Sequence, residues 1–163
     1  MLEFIRATSH KHFLYIEKLA YTIWQEHYVP IIGKPQVDYM LKKFQSVKAI
    51  KNQIADGYEY FLLEYRQQYV GYISVKQEKN TLFLSKIYVL STHRGKKIGK
   101  KAIAFIEAKA KEHQLSSIRL TVNKNNTKSI EAYLKLGFKQ KRPLIMDIGQ
   151  GYVMDDFEMV KNV

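Results

Sequence analysis

The residues best placed to do chemistry lie in one run, His93-Arg94-Gly95-Lys96-Lys97-Ile98-Gly99-Lys100-Lys101. Arg94, Lys96, Lys97 and Lys100 supply positive charge, while Gly95 and Gly99 leave room for close approach to the backbone. If a helix begins here, its first N–H groups lack helical partners and its macrodipole adds partial positive charge. Such an arrangement suits a phosphorylated ligand, most naturally a diphosphate. A merely solvated basic helix start would carry the same residues, so the run has to be judged by its surroundings.

The elements around it supply that context. Thr81 to Val89 is rich in β-branched, aromatic and aliphatic residues and reads as a strand leading into the run. Ile98, Ala102, Phe105, Ile106 and Ala110 then recur at helical spacing, which predicts a helix from about Gly95 to His113. A helix joining two strands makes a crossover, so Ser117 to Val122 should run parallel to the strand before it. Upstream, Glu3 to Ala7 is a short strand. Ser9 caps a helix with Phe13, Ile16, Leu19, Ala20 and Ile23 on one face, ending near His27. Val29 to Pro35 reads as a connector, and a second helix follows with Val37, Met40, Leu41, Phe44 and Val47 as its stripe, stopping near Gly57. Tyr58 to Tyr65, Tyr69 to Gln77 and the strand ending at Val89 form an antiparallel meander. After Ser117 to Val122, Asn126 or Thr127 caps a short helix to Leu136, and two last strands follow. The order is β-αα-βββ-α-β-α-ββ, a single α/β domain with a mixed, mostly antiparallel sheet and one parallel pair. Ligands in α/β sheets favour the carboxyl ends of strands, and both the Gly95 turn and the Asn123 turn lie at that end.

Composition removes several chemistries. The chain of 163 residues has no cysteine, which excludes disulfides, thiolate nucleophiles and cysteine-held metals. No secretory signal or membrane-length apolar run is apparent, which points to the cytoplasm. His10 and His12 make a poor metal pair, being two apart on a helix. The net charge of +12 would serve nucleic acid, an anionic surface or an anionic cofactor, and the lysines are spread along the whole chain. A basic nucleic-acid-binding module is the rival from another class, yet no recognised binding motif accompanies the lysines. Nothing in the sequence specifies an oligomeric state.

The strand, Arg94-Gly-Lys-Lys-Ile-Gly99, the helix, and then Asn126-Thr-Lys-Ser129-Ile-Glu-Ala-Tyr133-Leu-Lys-Leu-Gly137-Phe138 together resemble the GNAT superfamily of acetyl-CoA-dependent N-acetyltransferases. The resemblance implies acetyl-CoA as cosubstrate, with Arg94, Gly95, Lys96, Lys97, Ile98, Gly99 and Lys100 as its phosphate loop. Arg94, Lys97 and Gly99 fall on that loop's fixed positions, and Lys97 stands where glycine is usual. Having a Cβ, Lys97 is expected in an ordinary helical conformation. The resemblance further implies that backbone groups of Ile87, Tyr88 and Val89 pair with the pantetheine arm. Asn126 would lie near the cofactor, and Tyr133 beside its sulfur. Read without the family, Asn126 is a helix cap and Tyr133 a core tyrosine. A phenol with an ordinary pKa of about 10 is protonated at neutral pH and can give its proton to a departing thiolate.

With no cysteine, a cysteine-linked acyl-enzyme is impossible, and direct attack of an amine in a ternary complex is the expectation, as the resemblance also implies. The amine must lose a proton first, and Glu26, Glu59, Glu64, Asp155 and Asp156 are candidate acceptors, with His27 and His93 behind them. The acceptor side implied by the family spans Trp24 to Tyr39 and Gly149 to Glu158. There Glu26, Tyr28 and Asp155 could hold a cationic small amine or polyamine by charge and cation–π contact.

Overall fold

The computed structural model describes all 163 residues. Seven strands follow the order β1-β2-β3-β4-β5-β7-β6, and the one parallel pair is the one that the sequence implied. The chain divides into two compact units, Met1–Lys76 with Lys86–Ile103 and Gln77–Ser85 with Ala104–Val163. No helix is long and apolar enough to cross a membrane.

In the first unit, β1 (Leu2–Arg6) pairs antiparallel with β2 (Tyr58–Tyr65), which pairs with β3 (Gln68–Gln77). Helix α1 (His10–Ile32) starts in a capping box. The Ser9 hydroxyl accepts from the His12 N–H, and the His12 ring nitrogen accepts from the Ser9 N–H. Phe13, Ile16, Leu19, Ala20, Ile23 and Trp24 form its buried face. The helix does not stop near His27. Pro30 lies inside it, giving up only its own N–H bond, and Gly33 at φ +86° ends it.

The expected second helix is two, α2 (Lys34–Phe44) and α3 (Val47–Ala55). The break follows from Gln45, a buried polar side chain that needs partners the helix does not offer. Its amide donates to the Tyr60 hydroxyl at 3.0 Å and its carbonyl accepts from the Tyr72 hydroxyl. Ser46 then caps α3, accepting from the Ala49 N–H at 3.2 Å. Burial raises both phenols, Tyr60 to about 12 and Tyr72 well above its ordinary value.

Strand β4 (Thr81–Val89), a 3₁₀ turn (Ser91–His93) and helix α4 (Ile98–Glu112) follow, and both β4 and α4 run through the two units. Gly71 on β3 is held against β4. A Cβ there would lie 2.3 Å from the Tyr88 carbonyl oxygen and 3.1 Å from the Val89 Cα.

In the second unit, β4 and β5 (Ser117–Asn123) pair in parallel from Thr81↔Ser117 to Phe83↔Arg119, and β4 continues past that short ladder. Arg119 is fixed by a forked bond to Glu78 at 2.7 and 2.8 Å and lies over the Phe83 ring. Helix α5 (Thr127–Lys135) leads to β6 (Lys139–Gly149), which pairs only with β7 (Tyr152–Asn162) and forms a sheet edge. Lys139, Lys141, Arg142 and Pro143 are exposed along that edge.

Replacing Gly71 by alanine should destabilise the fold by about 2 kcal/mol or more, since the obstructing atoms are backbone. Denaturant titration would show a lowered midpoint; an unshifted midpoint would mean that β3 and β4 can separate without loss.

Candidate active site

The phosphate-loop run sits where β4 ends. The Leu90 N–H donates to the Val70 carbonyl at 2.8 Å, and the chain then leaves the sheet through the 3₁₀ turn. Helix α4 begins at Ile98, later than the sequence suggested, so Arg94 to Lys97 form a loop. Gly95 has φ +80° and Lys97 φ +61°. The expectation of an ordinary helical conformation at Lys97 is therefore wrong. Its backbone is left-handed, the state in which glycine carries no penalty and a residue with a Cβ loses about 1–2 kcal/mol.

The first amides of α4 have no helical partners. The bond from the Lys101 N–H to the Lys97 carbonyl at 3.1 Å is the first of the helix, so the N–H groups of Ile98, Gly99 and Lys100 precede the ladder. Ile98 is buried and anchors the turn, while Lys96, Lys97 and Lys100 are exposed. Gly99 is more telling. Its φ is not positive, and apart from its chain neighbours and the backbone of its own helix turn no atom lies within 4 Å of the place its Cβ would take. Neither conformation nor packing requires glycine there, although it is disfavoured in a helix by about 1 kcal/mol relative to alanine. Helix amides without ladder partners beside exposed cations are the groups that an anionic ligand such as a diphosphate needs.

Two acceptor-side candidates lie beside the end of β4 in the same unit. The Tyr28 and Tyr88 hydroxyls are 2.9 Å apart, and both rings pack against buried Trp24, at 5.5 and 5.6 Å between centroids. Glu26 accepts from the Ser91 hydroxyl at 2.8 Å, which ties α1 to the start of the phosphate loop. His27 packs edge-on against Tyr28, and His93 bonds Thr92. Lys86, next to Ile87, was not singled out by sequence; burial lowers its pKa to about 8.

The second unit holds Asn126, Tyr133 and Asp155. Asn126 stands at the N-cap position of α5 and is buried, but its side chain makes no cap bond. The plain capping role is thus not what it performs. Tyr133 is half-buried, edge-on to Phe138 at 5.7 Å, and its carbonyl accepts from the Phe138 N–H at 3.0 Å. Asp155 pairs with Lys124, which offsets its charge. The neighbouring Asp156 is different. It is buried, and desolvation and the charge of Asp155 push its pKa up to about 6 against a hydrogen bond from Thr121. Glu158, also buried, is balanced by Arg119 and Arg142.

The sequence model of the Acetyltransferase (GNAT) family matches residues 17–138. The chain belongs to this family. Its fold is that of several solved family members. A PaiA N-acetyltransferase from Thermoplasma acidophilum, in complex with coenzyme A, is 22% identical over 100% of this chain and 99% of its own, with a TM-score of 0.85. A GNAT acetyltransferase from Staphylococcus aureus Mu50 is 18% identical over 99% of both chains, at 0.73. A chimera of the spermidine N-acetyltransferase SpeG from Vibrio cholerae with hSSAT is 18% identical over 99% and 95%, at 0.70. No curated protein sequence matches the chain. The GNAT chain is an acetyltransferase using acetyl-CoA.

Lys97→Gly should raise stability by about 0.5–1 kcal/mol, because relief at positive φ outweighs the added freedom of the unfolded chain. Thermal unfolding without ligand would read the gain, and a loss would mean that the lysine side chain holds the loop.

Proposed function

We propose that this GNAT protein moves the acetyl group of acetyl-CoA to the nitrogen of a primary amine, a small amine or polyamine rather than a protein. Acetyl-CoA supplies the acetyl group already activated as a thioester. The observation that carries the reading is Gly99, a glycine left open above unpaired helix amides in a basic loop. Arg94 and Lys97 to Lys100 hold the diphosphate, and the backbone of Ile87 to Val89 orients the pantetheine arm. Asn126 lies against the cofactor. With no cysteine to carry the acetyl group, and as the resemblance to the family implies, transfer is direct, within a ternary complex.

Tyr133 holds the proton that the leaving sulfur takes, its ring angle set by Phe138. Asp156 takes the proton that the amine gives up. Three of the other candidates are committed elsewhere: Glu26 accepts from Ser91, Glu59 pairs with Arg6 and Asp155 with Lys124. Asp156 alone among these is buried with a pKa of about 6, poised to accept a proton near neutrality. Glu26 and Tyr28 flank the amine, and Asp155 adds to its electrostatic surroundings. The spermidine N-acetyltransferase chimera among the similar folds supports an amine acceptor.

Thermal unfolding with acetyl-CoA tests the cofactor site. At a hundred times its dissociation constant the ligand adds about 2.7 kcal/mol, or roughly 5–10 °C for a chain of this size. An amine screen by thiol release then tests the acceptor class. Tyr133→Phe should lower turnover on the active amine at least tenfold with little change in acetyl-CoA affinity; equal turnover would remove Tyr133 from proton transfer.

Asp156 gives a pH signature. Activity should fall as pH drops through about 6, where its carboxylate becomes protonated. Asp156→Asn should lose that limb and about a hundredfold in rate at neutral pH. The variant should not be less stable at pH 7. A folded pKa above the ordinary carboxylate value means that ionising Asp156 opposes folding as pH rises from about 4 to 6. A wild-type acidic limb that persists in the variant would assign the base elsewhere.

A further inference from the structure

Tyr65 ends β2, and three basic side chains gather on its ring. The Arg66 guanidinium and the Lys96 ammonium each lie 5.3 Å from its centroid, and the His93 ring lies 6.1 Å away, edge-on. Arg66 comes from the β2–β3 turn, while His93 and Lys96 come from the segment joining β4 to α4. The ion pairs of this unit, Arg6–Glu59, Lys34–Asp38 and Lys76–Asp56, leave Arg66 and Lys96 out. Both are exposed, so their charges face solvent unbalanced.

The backbone under Arg66 sharpens the point. Tyr65 pairs with Gln68, so Arg66 and Gln67 are the whole turn, at φ +50° and +64°. Two-residue turns with both φ positive favour Asn-Gly or Gly-Gly. Lys97, at φ +61°, is the same kind of departure. Basic side chains therefore occupy backbone positions where glycine would be easier, on both segments that meet at Tyr65. An outlier of this sort points toward function when its neighbours share its chemistry.

We propose that Arg66 and Lys96, steadied over the Tyr65 ring, bind the ribose 3′-phosphate of coenzyme A and so make the enzyme discriminate CoA from its 3′-dephospho form. The inference rests on the reading that the adjoining loop takes the cofactor's diphosphate. The 3′-phosphate is a monoester whose second pKa lies near 6, so it carries close to two charges at neutral pH. A guanidinium grips such a group through two parallel N–H bonds, and an ammonium adds a point charge. The aromatic face holds both cations in place at little conformational loss.

Equilibrium binding of CoA and 3′-dephospho-CoA to the full chain tests this. Wild type should prefer CoA by about tenfold or more. Arg66→Gly, which removes the charge while easing the turn, should cut that preference to within about threefold, and Lys96→Ala should cut it too. Lys79→Ala with Lys111→Ala, on the connection before β4 and in the last turn of α4, removes the same total charge as the Arg66 and Lys96 pair and should keep the preference. Equal affinity of wild type for the two ligands would overturn the 3′-phosphate site while leaving the diphosphate site intact. An undiminished preference in Arg66→Gly and Lys96→Ala, or an equal loss in the distant pair, would overturn it as well. Binding of neither ligand to wild type would remove the cofactor reading along with it.

Discussion

The near-contact of two backbones at Gly71 fixes much of the first unit. A glycine on β3 lets the chain at Tyr88 and Val89 come closer than any side chain would permit. That approach sets where Tyr88 stands, and the Tyr88 ring joins Trp24, Tyr28 and Tyr72 in one aromatic group. The hydroxyl pair of Tyr28 and Tyr88 then fastens α1 to β4. Two residues further, the Leu90 amide makes the last bond to β3 before the loop turns out. Loop position, aromatic packing and helix placement thus share one steric origin.

Much of this was legible in the sequence, and what was missed has a common cause. The face of α1, the β2–β3–β4 meander and the parallel β4–β5 pair rest on local periodicity and on crossover geometry, which a single chain displays. The split between α2 and α3 does not. It depends on Gln45 reaching Tyr60 and Tyr72, partners 15 and 27 residues away. Pro30 misled for the opposite reason: a proline forbids one hydrogen bond, and packing of the remaining face of α1 carries the helix past it.

The candidate site divided along the same line. Arg94, Gly99, Asn126 and Tyr133 could be picked out by type and order. The left-handed backbone at Lys97, the burial of Asp156 and the desolvation of Lys86 arise from neighbours brought together by the fold. Asp155 and Asp156 look alike in sequence. Strand alternation gives one a lysine partner and the other a buried place beside Thr121, where desolvation raises its pKa.

The outer strand β6 bears on how the net charge of +12 is understood. An edge strand offers a row of unpaired amides and carbonyls to any other sheet it meets. Here Pro143 interrupts the row, and Lys139, Lys141 and Arg142 place like charges along it. Two copies meeting edge to edge would bring these cations together. Part of the chain's basicity therefore lies along a sheet edge, where like charges oppose edge-to-edge pairing.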